Sequence, residues 1–275
     1  MNDTASFWNH PTFHDMALLK ARFTLHRYEL HTHPTYVIAL ITHGCERLRI
    51  GRRHIVAPAN TVVVVNPEEC HDGERGTETG WAYRTFYPSV QMMTDVACEL
   101  GRDESPLFPA AAIDDPALAR MLAVAHRMAE HDGDEEAEAS MLMALRHLVI
   151  GHTDRHRELR PCKPSGADRR LDVYRDTIEA NIANGLDLRH LARAVGVSRF
   201  QVIRDFKLVT GLTPGTYIRN RRFRLACRLI AQGSELSAAA AAAGFADQSH
   251  LTRVFKRSQG ITPGMFRQAC NTSRH

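Results

Sequence analysis

The chain has 275 residues, 44% of them hydrophobic, which leaves ample sequence for a packed core in each of one or two domains. Its formal net charge of +4 conceals a split: residues 168–275 hold 18 Lys+Arg against 8 Asp+Glu, and residues 1–167 hold 17 against 23. A basic C-terminal part on an acidic body points to a polyanionic partner for that part alone. Cys45, Cys70, Cys98, Cys162, Cys227 and Cys270 are scattered without Cys-x-x-Cys spacing. That argues against a zinc finger or a disulfide framework and for a reduced, cytoplasmic setting. No signal peptide is expected and no apolar run approaches membrane-spanning length, so no membrane partner is expected either.

From about Phe13 to Tyr87 the pattern is β. Short segments rich in β-branched and aromatic residues start at Tyr36, Glu46, His54, Thr61 and Trp81, punctuated by Gly44, Gly51, Pro58, Pro67, Gly73 and Gly80. Strands this short and evenly spaced predict an all-β sandwich or barrel. If the chain is extended from Leu30 to Pro34, the period of two puts His31 and His33 on one face. With His71 from a later strand, three imidazoles could meet at a metal; hydrogen-bonded scaffold or pocket lining is the plainer reading. Barrel mouths are common ligand sites, and Tyr36, Trp81 and Tyr83 either line such a pocket or belong to the core.

From Asp114 to about His156 the period becomes helical. Asp115 is placed to cap a helix with Pro116 at its first position, and Leu118, Met121, Leu122, Ala125 and Met128 form its stripe. After His131 to Asp134, Met141, Leu142, Leu145, Leu148 and Val149 form a second. The two stripes either cover the barrel or make a dimer contact. Arg157 to Gly166, polar and interrupted by prolines, reads as a linker, dividing the chain into domains of residues 1–160 and 161–275.

Beyond it, Asp187 is placed to cap a helix with Leu188, Leu191, Ala192 and Val195 on its apolar side. Gly196 supplies a tight turn, Ser198 caps the next helix, and Val202, Phe206 and Val209 are its buried stripe. Pro214 to Ile230 predicts a long helix carrying Arg219, Arg221, Arg222, Arg224 and Arg228, some for phosphates and some paired with acids such as Asp176 and Glu179. The chain then repeats itself. At a constant offset Arg204 matches Arg253, Phe206 matches Phe255, Lys207 matches Lys256, Gly211 matches Gly260, Thr213-Pro214-Gly215 matches Thr262-Pro263-Gly264, and Tyr217 matches Phe266. Leu236, Ala239, Ala240 and Ala243 repeat the first apolar stripe, and Gly244 repeats the turn with one residue more before the next cap. Two helices joined by a short glycine turn are the unit that places its second helix in the DNA major groove. The face opposite each stripe carries Phe200, Ile203, Arg204 and Lys207 in one copy and Ser249, Thr252, Arg253 and Lys256 in the other. Asp205 and Asp247 are its only nearby acids.

On these residues, the stretch from about Leu171 to Ala269 resembles the DNA-binding domain of the AraC/XylS family of bacterial transcription regulators. It departs from the family at Ala238 to Ala243, where bulkier aliphatics are usual. The β part resembles, more loosely, the cupin-like effector domain common at the front of such regulators, on His31-Thr-His33-Pro, Gly44, Asn66-Pro67 and His71-Asp72-Gly73. The resemblance implies an α+β multidomain protein: a cupin-like β-barrel with appended helices, then an all-α domain of two helix-turn-helix units joined by a long helix. It implies double-stranded DNA, a small-molecule effector and RNA polymerase as partners, with a homodimer possible through the N-terminal helices. Metal-binding cupins add a carboxylate a few residues after the second histidine. Here Val37 to Leu40 occupy those positions, so no metal or other cofactor is expected. The competing class, a metal-dependent cupin enzyme with an accessory helical domain, is disfavoured on the same ground.

The expected DNA contacts are Arg199, Phe200, Gln201, Ile203, Arg204 and Lys207 in the first copy and Gln248, Ser249, His250, Thr252, Arg253 and Lys256 in the second. The expected effector pocket takes in His31, His33, Tyr36, His71, Trp81 and Tyr83.

Overall fold

The computed structural model describes residues 3–9, 16–130, 135–153 and 165–272. The chain divides into two compact units, residues 1–156 with 268–275, and residues 157–267.

The first unit is built on strands β1 (Thr4–Asn9), β2 (Met16–Phe23), β3 (Arg27–His31), β4 (Val37–Ile50), β5 (Arg53–Pro58), β6 (Val62–Val65), β7 (His71–Arg75) and β8 (Trp81–Pro88). Helix α1 (Val90–Glu99), the short strand β9 (Ala112–Ile113) and helices α2 (Pro116–Met128) and α3 (Glu135–His152) follow. The strand path is β1-β2-β8-β4-β6-β9, with β3 on β7 and both β5 and β7 on β4. One strand therefore joins everything: the first half of β4 pairs with β6 and β8, and its second half with β5 and β7. Gly44 was expected to separate two strands. Instead β4 runs through it, past a bulge between Ile41 and His43, with Gly44 at φ +69°. A side chain at Gly44 would strike the main chain of Gly80. Glycine here permits a close backbone approach rather than a chain reversal.

Alternation sorts each strand into two faces. One face, with Leu18, Ile38, Leu40, Val62, Val64 and Phe86, packs against Met93 of α1, Leu118 and Leu122 of α2, and Met141, Leu145 and Leu148 of α3. The other face is buried in the barrel, where Tyr83 meets Tyr28. Burial on both sides explains why Val62–Val65 is an unbroken apolar run rather than an alternating one. The helical stripes thus cover the barrel. Asp115 caps α2 as expected, its Oδ1 accepting from the amides of Ala117 (2.9 Å) and Leu118 (3.0 Å). Strand β1 and helix α1, capped by Ser89, were not anticipated.

His126, fully buried on α2, locks the helices to the sheet. Arg84 Nη1 donates to its Nδ1 (2.8 Å), so its Nε2 carries the proton and donates to the Leu19 carbonyl (3.2 Å). Burial, and then the Arg84 charge, push its pKa down to about 4. A neutral imidazole is the only form that fits.

The second unit contains α4 (Gly166–Ala180), α5 (Leu188–Val195), α6 (Arg199–Thr210), α7 (Pro214–Ala231), α8 (Leu236–Ala242) and α9 (Gln248–Gln259); α10 (Pro263–Thr272) follows. The expected linker lies mostly outside the described residues. Its last two residues start a helix rather than continue the linker: Ser165 caps α4, in a reciprocal pair with Asp168, and Gly166 is the first helical residue. The sequence repeat is a structural repeat. Phe206 stacks on Tyr174 (centroids 5.4 Å apart) and sets its edge to Tyr217 (5.2 Å), while Phe255 does the same work between Phe223 (4.7 Å) and Phe266 (5.6 Å). Gly196, Gly211, Gly244 and Gly260 all hold φ between +70° and +77°.

The two turn glycines differ in one respect. Nothing lies within 4 Å of where a side chain at Gly196 would begin, whereas at Gly244 it would sit 2.8 Å from the Ile182 carbonyl oxygen. Gly196→Ala should cost about 1–2 kcal/mol from its left-handed backbone alone. Gly244→Ala should cost distinctly more, because main chain must also move. Denaturant unfolding of the two variants compares them directly; equal losses would mean that the Ile182 contact yields freely.

Candidate nucleic-acid interface and barrel interior

Helix α6 is positioned by a buried carboxylate. Asp205, expected on the outer face, is 1% exposed. Arg170 of α4 holds it with two bonds, Nε to Oδ2 and Nη2 to Oδ1, both 2.7 Å. The Tyr174 hydroxyl donates to Oδ2 (3.1 Å) and the Gln201 amide to Oδ1 (2.8 Å). A forked guanidinium on a carboxylate fixes angle as well as distance. These bonds, Arg170's foremost, hold Asp205 ionised by lowering its pKa. With Asp205 turned inward, the outer face of α6 presents Arg199, Phe200, Arg204 and Lys207, all exposed, with Ile203 half-buried. Phe200 is 81% exposed, an aromatic ring held in solvent by a rigid helix. Gln201, expected to contact DNA, has its amide nitrogen committed to Asp205.

On α9, Asp247 caps the helix through the His250 amide (2.6 Å), and Leu251 and Phe255 face inward. Gln248, Ser249, Arg253 and Lys256 are exposed. The Thr252 hydroxyl is spent on the Gln248 carbonyl (2.9 Å), and the His250 ring sets its edge to Phe245 (5.3 Å). Among the described residues, no ion pair engages Arg199, Arg204, Lys207, Arg253 or Lys256. The arginines of α7 behave differently. Arg221 pairs with Glu179, as expected of some of them, and Arg222 donates to the Ile182 (2.8 Å) and Asn184 (2.8 Å) carbonyls. The structure adds two cations that the sequence reading passed over. Arg189 and Arg193 of α5 line a shallow groove with Arg199 and Phe200, beside the start of α6. Their spacing of one helical turn on the polar side of α5 was the available signal.

Inside the barrel, the predicted histidines meet. His31 lies directly opposite His71 across the β3–β7 pair, and their rings are 4.3 Å apart, with His33 4.8 Å from His31 and 5.2 Å from His71. All three are buried. Trp81 and Tyr83 point into the same interior, and the Tyr83 and Tyr28 hydroxyls are hydrogen-bonded. Tyr36 does not join them: it packs in the helix-side core against Phe108 and donates its hydroxyl to the Pro106 carbonyl (2.6 Å). The sequence reading missed Glu46, 5% exposed, whose carboxylate occupies the space left by the absent side chain of Gly73. Burial raises its pKa to about 8, lowers that of His71, and raises those of Tyr28, Tyr83 and Tyr87. Trp81 Nε1 and Thr85 Oγ1 are buried without a hydrogen-bond partner among the described residues. Buried polar atoms left unmatched in an aromatic chamber suit a small polar ligand.

Residues 13–146 match the family described as AraC-like ligand binding domain, and residues 191–269 match one described as helix-turn-helix domain. Over 251 residues the chain is 24% identical to the uncharacterized HTH-type transcriptional regulator YbfI of Bacillus subtilis, covering 91% of this chain and 90% of that protein. Over 93 residues it is 33% identical to the multiple antibiotic resistance protein MarA of Escherichia coli, covering 34% of this chain and 73% of MarA. A solved apo structure of a ToxT variant from Vibrio cholerae aligns over 98% of each chain at 11% identity with a TM-score of 0.53, a likeness of fold.

The Asp205 clasp gives a stability prediction with a definite sign. Its folded-state pKa lies below the unfolded value, so its contribution is present above about pH 4 and is lost as pH falls through the folded pKa. Asp205→Asn should destabilise by about 1–3 kcal/mol at neutral pH, the partial exposure of Arg170 limiting the loss. The gap to wild type should close below about pH 4. Denaturant unfolding at stepped pH measures it; a gap unchanged to the acid limit would show that the carboxylate charge contributes nothing.

Proposed function

We infer how this chain works from what it is: a member of the AraC/XylS family of transcription regulators. It is a DNA-binding regulator with an effector-binding N-terminal domain, and the roles of individual residues are our proposal. One observation carries it: two structurally repeated helices, α6 and α9, present Arg199, Arg204, Lys207, Arg253 and Lys256 to solvent with no ion pair among the described residues.

In this reading Arg204 and Arg253 contact base edges, since a forked guanidinium matches guanine O6 and N7. Phe200 meets a thymine methyl group, and Ser249 and His250 donate to or accept from bases. Arg199, Lys207 and Lys256, with Arg189 and Arg193, bind phosphates and set position without specifying sequence. Ile203 and Gln248 complete the contact surface, while Gln201 and Thr252 act mainly in holding their own helices. The effector sits in the barrel interior of residues 1–160 among His31, His33, His71, Trp81 and Tyr83, with Glu46, Tyr28 and Thr85 added. The unmatched atoms of Trp81 and Thr85 support that placement. We read the barrel as a binding chamber rather than a catalytic one. RNA polymerase and a second copy of the chain are its proposed protein partners, and the cytoplasm its place. The exposed apolar residues Val124, Met143 and Ile150 on α2 and α3 support the second copy.

Two measurements test the DNA roles. Arg204→Ala should relax preference at one base position and cost about 1–3 kcal/mol on the specific site. Lys207→Ala should weaken all sequences alike and lower the salt slope by about one. Indistinguishable profiles over a set of operator variants would show that the two roles are wrongly assigned.

The connecting helix α7 has 18 residues, or roughly 27 Å at 1.5 Å per residue. A connector of that length suits recognition helices one DNA turn apart, reading boxes about 10 bp centre to centre. Inserting about 5 bp between the boxes puts the second on the far side of the duplex, and bending to recover it costs several kcal/mol. Most specific affinity should then be lost. Equal binding to both spacings would mean that only one repeat reads DNA.

A further inference from the structure

We propose that His31, His33 and His71 form a binding site for a borderline divalent transition-metal ion of the zinc class inside the barrel. The proposal stands apart from the DNA-reading role and rests on the geometry of the three rings.

Two of the rings are already oriented as metal ligands. His31 Nδ1 lies 2.6 Å from the Glu29 carbonyl and His71 Nδ1 lies 3.0 Å from the Glu69 carbonyl. A carbonyl only accepts, so both Nδ1 atoms carry the proton and both Nε2 atoms offer a lone pair. Outer-shell carbonyls of this kind fix the tautomer and raise the basicity of ligating histidines. The two residues stand opposite each other on paired strands, a rigid base for a site. His33, two residues past His31, supplies the third: its Nε2 is 3.0 Å from His31 Nε2. The donor atoms of all three lie within 4.8 Å of one another. Nitrogens 2.0–2.1 Å from a tetrahedral ion stand about 3.3 Å apart, so binding needs the rings to draw together by at most about 1.5 Å.

The proton balance is simple. In the contact between His31 Nε2 and His33 Nε2, the proton must sit on His33, because His31 has its own on Nδ1. An ion bound at the three Nε2 atoms displaces that proton from His33 Nε2, either to the ring's Nδ1 or to solvent. A missing carboxylate argued against a metal from the sequence. It is not required: three imidazoles with a fourth position left for water or a ligand oxygen make a complete open site, and imidazole suits zinc, copper, nickel and iron.

A second cluster acts as an internal control. His147 Nε2 and His152 Nε2 each lie 2.9 Å from Asp115 Oδ2. Both rings therefore present a proton, not a lone pair, to the shared oxygen, and Asp115 is already capping α2. Among the described residues these are the two groups whose donors converge this closely.

The experiment uses the full-length chain without an affinity tag, stripped with chelator and titrated with Zn2+ against a chromophoric competitor. One equivalent should bind, and His31→Ala or His71→Ala should weaken it by at least ~10-fold. The double variant His147→Ala, His152→Ala should keep it. No uptake by the wild-type chain overturns the proposal, as does loss in the double variant with retention in His71→Ala. Should a barrel variant fail to fold, X-ray absorption at the zinc edge of the wild-type protein decides. Three imidazole scatterers support the site; two or fewer overturn it.

Discussion

The central strands of the first unit are buried on both faces, and most of what that unit does follows from this constraint. One face must satisfy helices and the other must line a chamber, so each strand carries two different chemistries at alternate positions. On β8 the helix side has Phe86 in the apolar core and Arg84 on His126, while the chamber side has Trp81, Tyr83 and Thr85. A slip of one residue would exchange the two sets and bury Arg84 in the chamber. The lock at His126 opposes such a slip, because it needs Arg84 and the Leu19 carbonyl on the same side at once. That requirement makes the chamber's polar residues tolerable: register is secured elsewhere, so Glu46 and three histidines can occupy the interior at the expense of stability.

The repeated unit follows another logic. Both copies are built on a cluster of three aromatic rings around the phenylalanine of the reading helix. The first adds a buried carboxylate fork that the second does not repeat, since Asp205 is matched at the repeat offset by Val254. The first copy also concentrates charge, with Arg189 and Arg193 on α5 and Arg199, Arg204 and Lys207 on α6. The helix α8 of the second copy reads LSAAAAA and carries no cation. Duplication thus preserved the scaffold while the means of fixing and charging the reading helix diverged.

Legibility in the sequence tracked how local each signal was. Capping residues, positive-φ glycines and helical stripes act within a few residues, and the caps Asp187 and Ser198 and the turns at Gly196 and Gly244 were legible from sequence. The repeat made them doubly legible. Contacts fixed by distant partners were harder to read. Nothing near Asp205 says that Arg170 turns it inward, and nothing near Glu46 says that Gly73 leaves room for it. His31 and His33 could be put on one face by period alone, and the structure brings His71 to them through strand pairing. Tyr36 went the other way: the period of two carries it to the helix side with Ile38 and Leu40, but the period alone does not say which face of an all-apolar strand meets the helices.

The alanines of α8 have a consequence for how the second unit is held. Ala239 and Ala240 are fully buried, and the helix begins at Glu235 without a side-chain cap bond. Alanine has no rotamers to freeze, so docking α8 costs almost no side-chain entropy, but it also presents no knobs to engage a neighbour's grooves. The contact is smooth: it resists separation more than rotation or sliding. In mechanical terms α8 is a bearing surface, whereas the Asp205 fork is a bolt.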